Sequence, residues 1–263
     1  MEQKETFYGH LFLTLLLADL KVFKSIIIDR AIDTFIWVAA LLTSSMYILP
    51  AIGISKTFGL LTFSGIVASG GIMAVYTNVA TMVSDIEDNA TLSYQLILPL
   101  PAHLVFIKYI TYFAITSTCY NALVLPFGKL LLWNAFPFHS IQPGKLCLII
   151  LLSNIFLGAF TLLLIATTPA MKNLSNVWMR ILFPLWFLGG FQFSWHALQL
   201  ALPFLAYIDL ANPFIYIFDG TRAAMLGQAG YLNFWICCGA LIVATLLCGI
   251  FAFLKLKQRL DFV

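Results

Sequence analysis

Apolar residues run almost unbroken along this chain, and the polar positions between the runs divide it into segments. Six runs approach the ~20 mostly apolar residues that a helix needs to cross a bilayer. They lie near 31–50, 59–83, 104–126, 146–169, 178–196 and 231–254. Residues 7–28, upstream of them, have a different pattern. At roughly 100° per residue, His10, Thr14, Lys21, Lys24 and Ser25 share a stripe about 100° wide. Asp19 points the other way, among leucines, where it needs a partner. A narrow basic face predicts an amphipathic helix lying along the membrane surface. A first crossing helix is the competing reading, because 11–18 is strongly apolar.

Two segments break the pattern. In "DIEDNATLSYQLILPLP", residues 85–101, three acids precede a polar turn and two prolines. A short helix is expected there, with Asn89 as N-cap and the acids near its positive end. Leu92 and Leu96 are four apart and share a face, with Gln95 beside them. Pro99 and Pro101 end the helix, since proline lacks the donor and disfavours helix before it. A rigid loop with an apolar edge suits docking by another protein, and a plain polar linker is the alternative. Residues 196–230 are too apolar for an exposed loop, yet Pro203, Asp209, Asn212-Pro213, Asp219 and Gly220 punctuate them. Two short helices broken near 209–213 would keep the polar backbone at the break against protein or water. This predicts a re-entrant helical hairpin over 197–229, dipping in from the outer face. A full crossing would instead put Lys255, Lys257 and Arg259 outside.

Composition fixes the solvent. The 263 residues are 62% hydrophobic and 10% charged, with 24 Phe, whereas soluble domains carry about 25% charged residues. The fold class expected is an all-α integral membrane protein of six transmembrane helices per protomer, forming a single transmembrane domain over 1–263. With the N-terminus in the cytoplasm, ten of the 14 Lys and Arg fall in inside segments, which satisfies the positive-inside rule. Both termini are then cytoplasmic. Glu2 and Glu5 offset Lys4 and no cleavage site follows, so a signal peptide is not expected. A net charge of +3 gives no reason to expect nucleic acid. The five cysteines and four histidines are scattered without metal-ligand spacing, so no metal site is expected.

Catalytic signatures are lacking. "GISKTFG" at 53–59 has a Lys-Thr pair without the spacing of a phosphate-binding loop, and no nucleophile motif occurs. Within the spans, Asn78, Thr81, Asn121 and Asn154 read as interhelical hydrogen-bonding groups or as substrate ligands. Asp219 and Arg222 are three apart and can pair, either structurally or as the latch of a gate. The aromatics around Gly189-Gly190 either line an exit or pack. An ion-coupled secondary transporter is the rival function, but it would need a mid-membrane ion site and usually an internal repeat.

Two stretches carry a family resemblance. "SDIEDNATLSYQLILPLPAHLVFIKY" resembles the loop after the second span of type-2 ABC exporter permeases. There acids precede a threonine-leucine helix, a proline pair and the next span. "FPLWFLGGFQFSWHALQLALPFLAYIDLANPFIYIFDGTRAAMLG" resembles the closing signature of that family, where a Gly-rich aromatic stretch leads through Leu-x-Asn-Pro into the last hairpin helix. Ala90 stands where the family usually has glycine, and the usual basic residues at the loop's start are missing. The resemblance implies a coupling helix that docks into a separate ATPase through Glu87, Asp88, Thr91, Leu92, Gln95 and Leu96, flanked by Lys21 and Lys24. It implies a gate or exit around Gly189, Gly190, Asn212, Pro213, Asp219 and Arg222. It also implies a homodimer with two ATPase subunits in a bacterial cytoplasmic membrane. ATP and Mg²⁺ would sit on the partner, with no cofactor in this chain. The cargo would be an apolar or amphipathic lipid, lipid-linked glycan or drug, moved outward.

Overall fold

The computed structural model describes the backbone of residues 2–88, 91–132, 136 and 138–260. Among these residues the regular structure is entirely helical. Helix α1 is Glu2–Thr43 and continues through a π turn, Ser44–Ile48, into a last turn, Leu49–Ala51. Helix α2 is Lys56–Asp88, α3 is Thr91–Ile97, α4 is Ala102–Leu132 and α5 is Pro143–Thr167. Helix α6, residues 174–188, contains a second π turn, Val177–Leu182. Short helices α7 (Trp195–Ala201) and α8 (Pro203–Asp209) precede α9 (Pro213–Leu226) and α10 (Phe234–Leu260).

Four helices are long and apolar enough to cross a membrane: Thr57–Glu87, Ala102–Leu132, Pro143–Thr167 and Phe234–Gln258. They match the expected second, third, fourth and sixth runs. Of the most apolar stretch, 78% is buried for α2 but 22% for α10, so α2 is central and α10 peripheral. α5 packs between α4 and α10, and α1 lies mainly along α4. Small residues permit close approach: a Cβ on Gly158 would sit 2.5 Å from the Ile110 carbonyl oxygen of α4. Buried amides then join the helices. The Gly71 N–H donates to Asn121 Oδ1 at 2.7 Å, Asn121 Nδ2 to Asn154 Oδ1 at 3.1 Å, and Asn154 Nδ2 to Thr118 Oγ1 at 3.1 Å. Asn78 Nδ2 donates to Thr116 Oγ1 at 3.0 Å. These groups bond to one another, as interhelical ties do.

Three expectations are corrected. The boundary between an interfacial helix at 7–28 and a span at 31–50 does not exist, because α1 runs through it. No Gly or Pro lies between His10 and Leu49 to break the helix, and Arg30 and Asp33 form an ion pair inside it at 3.5 Å. α1 follows α4 from Asp19, paired with Lys108, to Tyr47, whose hydroxyl donates to the Leu131 carbonyl at 3.1 Å. The helix expected at 178–196 is α6, which ends at Leu188. At 15 residues it is about 22 Å long, and the chain turns at Gly190, φ +96°. Finally, α2 runs past the end expected at 83, so Asp85, Glu87 and Asp88 belong to its last turns rather than to the loop. Asn89, read as its N-cap, lies outside the described residues.

The expected break near 209–213 is present between α8 and α9, and Pro203 divides the first arm as well. α9 is buried along nearly its whole length. Its start meets α6, where Asn212 Nδ2 donates to the Leu185 carbonyl at 3.0 Å. Its end meets the start of α5, where the Gln142 N–H donates to the Ala224 carbonyl at 2.9 Å. That end of the bundle is opposite the one holding α3 and the Met171–Glu87 contact.

Candidate functional site

Two polar clusters, one towards each end of the bundle, hold the residues singled out by sequence. The first is built on Lys108 of α4, whose side chain has no exposed surface. Its Nζ donates to Asp19 Oδ2 of α1 at 2.5 Å and to Gln95 Oε1 of α3 at 2.6 Å. It also lies 3.6 Å from the centre of the Tyr109 ring. An ammonium stripped of water must be paired and hydrogen-bonded to be tolerated, and these contacts supply that. One buried cation thereby fastens the short loop helix to two long helices. Asp19, expected to need a partner, has one.

Of the residues expected on the contact face of α3, Leu92 and Gln95 are 2% and 5% exposed and face the chain's own core. Tyr94 and Ile97, 65% and 82% exposed, form the outward side. A seven-residue helix has room for one buried face, and Gln95 is drawn inward by Lys108. The side chains of Asp88, Thr91 and Leu96 lie outside the described residues. Glu87 is exposed and its Oε1 accepts from the Met171 N–H at 3.1 Å, tying the end of α2 to the turn before α6. Lys21 and Lys24 are exposed on α1. Sequence reasoning missed Lys108 as the hub, yet the signal was there. A lysine two turns inside an apolar run and an aspartate among leucines each needed a partner.

The second cluster surrounds Asp219 and Arg222, both fully buried. Arg222 Nη1 is 3.4 Å from Asp219 Oδ1 and donates to the Phe193 carbonyl at 2.6 Å, while Nη2 donates to the Phe191 carbonyl at 2.8 Å. Asp219 Oδ2 accepts from the N–H groups of Trp195 and Leu232, each at 3.2 Å. Residues 189–194 and 227–233 are not helical, so their backbone groups need partners wherever water is excluded. The ion pair supplies four such contacts. Gly189 and Gly190 pack here as well: a Cβ on Gly189 would lie 2.6 Å from Phe214 Cβ and 3.0 Å from Asn212 Nδ2. Asn212 caps α9 by accepting from the Phe214 N–H at 3.1 Å, and Pro213 occupies the first helical position. Of the aromatics around this turn, Trp186, Phe191 and Trp195 are buried. Trp186 Nε1 donates to Ser69 Oγ at 2.8 Å.

The family model of ABC-2 type transporters matches residues 20–226, from the turn after Asp19 to the end of α9. The chain belongs to the ABC-2 type transporter family. No curated protein and no solved structure matches it. This ABC-2 protein is therefore a multi-pass membrane permease of an ABC transporter, and its family implies association with an ABC ATPase. The matched region holds most of both clusters, with Asp19 and Leu232 just outside it, while α10 lies beyond it.

Proposed function

We propose that this ABC-2 permease is the membrane half of an ATP-driven exporter. Two copies of the chain would combine with two ATPase subunits that bind ATP and Mg²⁺, and move an apolar or amphipathic substrate outward. Both termini would face the cytoplasm of a bacterial cell, and α7–α9 would form a hairpin re-entering the membrane from outside. The observation that carries the reading is the attachment of α3. A lever must not bend at its joint, and Lys108 holds α3 to α1 and α4 together in a buried polar contact. The ATPase would grip the exposed Tyr94–Ile97 side, with Glu87 beside it. Closure of two ATPases on ATP would pull both α3 helices, and α1 and α4 would tilt as units. Work is transmitted only if docking energies differ between the open and closed states. On this reading, Asp219 and Arg222 hold the hairpin's shape.

The test is purification through a C-terminal tag under gentle extraction, with mass spectrometry of what accompanies the chain. Ile97→Asp places a charge on the docking side without touching the core. It should release a stoichiometric ATPase while the permease remains folded. A folded wild-type permease that brings no ATPase, even after cross-linking, would overturn the reading in favour of a secondary transporter.

A further inference from the structure

A groove between α1, α2 and α6 plays no part in either cluster. α1 packs along α4 and only sparsely against α2. There a cavity of about 410 Å³ is walled by Arg30, Trp37, Tyr76, Tyr120 and Trp178, with Gly70 among its lining residues. A second cavity of about 290 Å³ shares Arg30 and Tyr120 with it and runs down to Asp19. Trp178 belongs to the π turn of α6 and meets Tyr76 edge-on, ring centres 5.5 Å apart. Such turns often mark functional positions, because the extra residue redirects a side chain.

Arg30 stands where the two cavities join. It is 11 residues beyond Asp19 and 17 before Tyr47, the two points at which α1 is fixed to the ends of α4. This puts its Cα roughly 16 Å above the Asp19 level, well inside the thickness of the bundle. An ionisable group at that depth is expected to have a task. Its Nε is buried with no hydrogen-bond partner, and the contact of Nη1 with Asp33 is a loose 3.5 Å. An unpaired buried donor is costly, and a guanidinium fork fits an oxyanion. Asp33 lines the upper cavity with its side chain largely exposed, Asp19 is paired with Lys108, and Asp85 lines the lower cavity. This acidic surrounding favours a singly charged anion over a multiply charged one.

We propose that the groove binds an amphiphile with a singly charged oxyanionic headgroup, a phospholipid-like molecule arriving sideways from the bilayer. Arg30 holds the oxyanion, and Trp37, Tyr76 and Trp178 contact the adjoining apolar part. The assignment of this site to transported cargo rests on the exporter reading, whereas the binding itself does not.

The test is native mass spectrometry of the full chain, without ATP or ATPase, after incubation with dioleoyl phosphatidylglycerol or with dioleoylglycerol, which has the same acyl chains and no oxyanion, in detergent. The wild type should retain the anionic lipid preferentially. Arg30→Met should weaken that retention roughly tenfold, the worth of a charge-assisted hydrogen bond. Asp33→Asn, which removes a competitor for the guanidinium, should strengthen it by up to about fivefold. It also serves as the deciding variant should Arg30→Met fail to fold. Equal retention of both lipids, or a preference unmoved by these substitutions, would overturn the proposal. So would displacement of the lipid by millimolar inorganic phosphate, which would make the ligand a soluble anion, or lipid-free dimers in which a second copy covers the groove. Because no ATPase takes part, failure here leaves the exporter reading standing, and the absence of an ATPase partner would leave this result standing.

Discussion

Replacing Lys108 by methionine tests the lever directly. The substitution keeps the length of the side chain and removes the ammonium that donates to Asp19 at 2.5 Å and to Gln95 at 2.6 Å. Breaking a wholly buried ion pair from one side costs about 3–5 kcal/mol. Asp19 keeps 25% of its side chain exposed, so water can take over part of its solvation, and that share falls to about 1–2 kcal/mol. The Gln95 amide is 5% exposed, and leaving its oxygen unpaired adds about 1–3 kcal/mol. Relief from burying an ammonium offsets part of this, leaving a net loss of about 2–4 kcal/mol. The thermal transition in detergent should then fall by about 5–15 °C. The loss should be local before it is global. Hydrogen exchange over residues 91–97 should quicken by at least tenfold, while the middle of α5 stays protected. A double cycle with Asp19→Asn should show a coupling of at least about 1 kcal/mol. If exchange across 91–97 is unchanged, or the two substitutions add independently, the buried tie does not hold α3 and the lever argument fails.

Leu92→Asp puts a carboxylate into a site 2% exposed and should cost more than about 3 kcal/mol. It would appear as poor folding by size-exclusion profile, in contrast to the folded but ATPase-free Ile97→Asp. Asp219→Ala, with Arg222 left uncompensated, should destabilise by about 3–5 kcal/mol. The double change Asp219→Leu with Arg222→Met should not recover the wild-type melting temperature, because the backbone groups of Phe191, Phe193, Trp195 and Leu232 still lose their partners. Gly158→Ala forces a methyl group to 2.5 Å from the Ile110 carbonyl and should cost about 1–3 kcal/mol. Asn121→Ala should cost only about 0.5–2 kcal/mol in a thermal melt, since hydrogen bonds between spans are individually modest.

Much of this protein is legible in its sequence because each step needs only local information. The length and apolarity of a run decide whether a helix suits a bilayer, and the runs at 59–83, 104–126, 146–169 and 231–254 each appear as one long helix. Proline and asparagine act on their own neighbours, so the break at 209–213 was readable from Asp209, Asn212 and Pro213. The two quoted stretches likewise carried the family. Other features depended on partners far along the chain. The interval between 28 and 31 read as the edge of a membrane span, whereas an unbroken helix packed on α4 carries Arg30 into the bundle. Leu92 and Gln95 looked available because an isolated helix does not reveal which side its neighbours will cover. Lys108, thirteen residues further along, drew that side inward. Asp219 and Arg222 were recognised as a pair, but the backbone groups they satisfy lie up to 31 residues away. A sequence states what each segment can do, and burial, which comes from all segments at once, decides which of those choices is used.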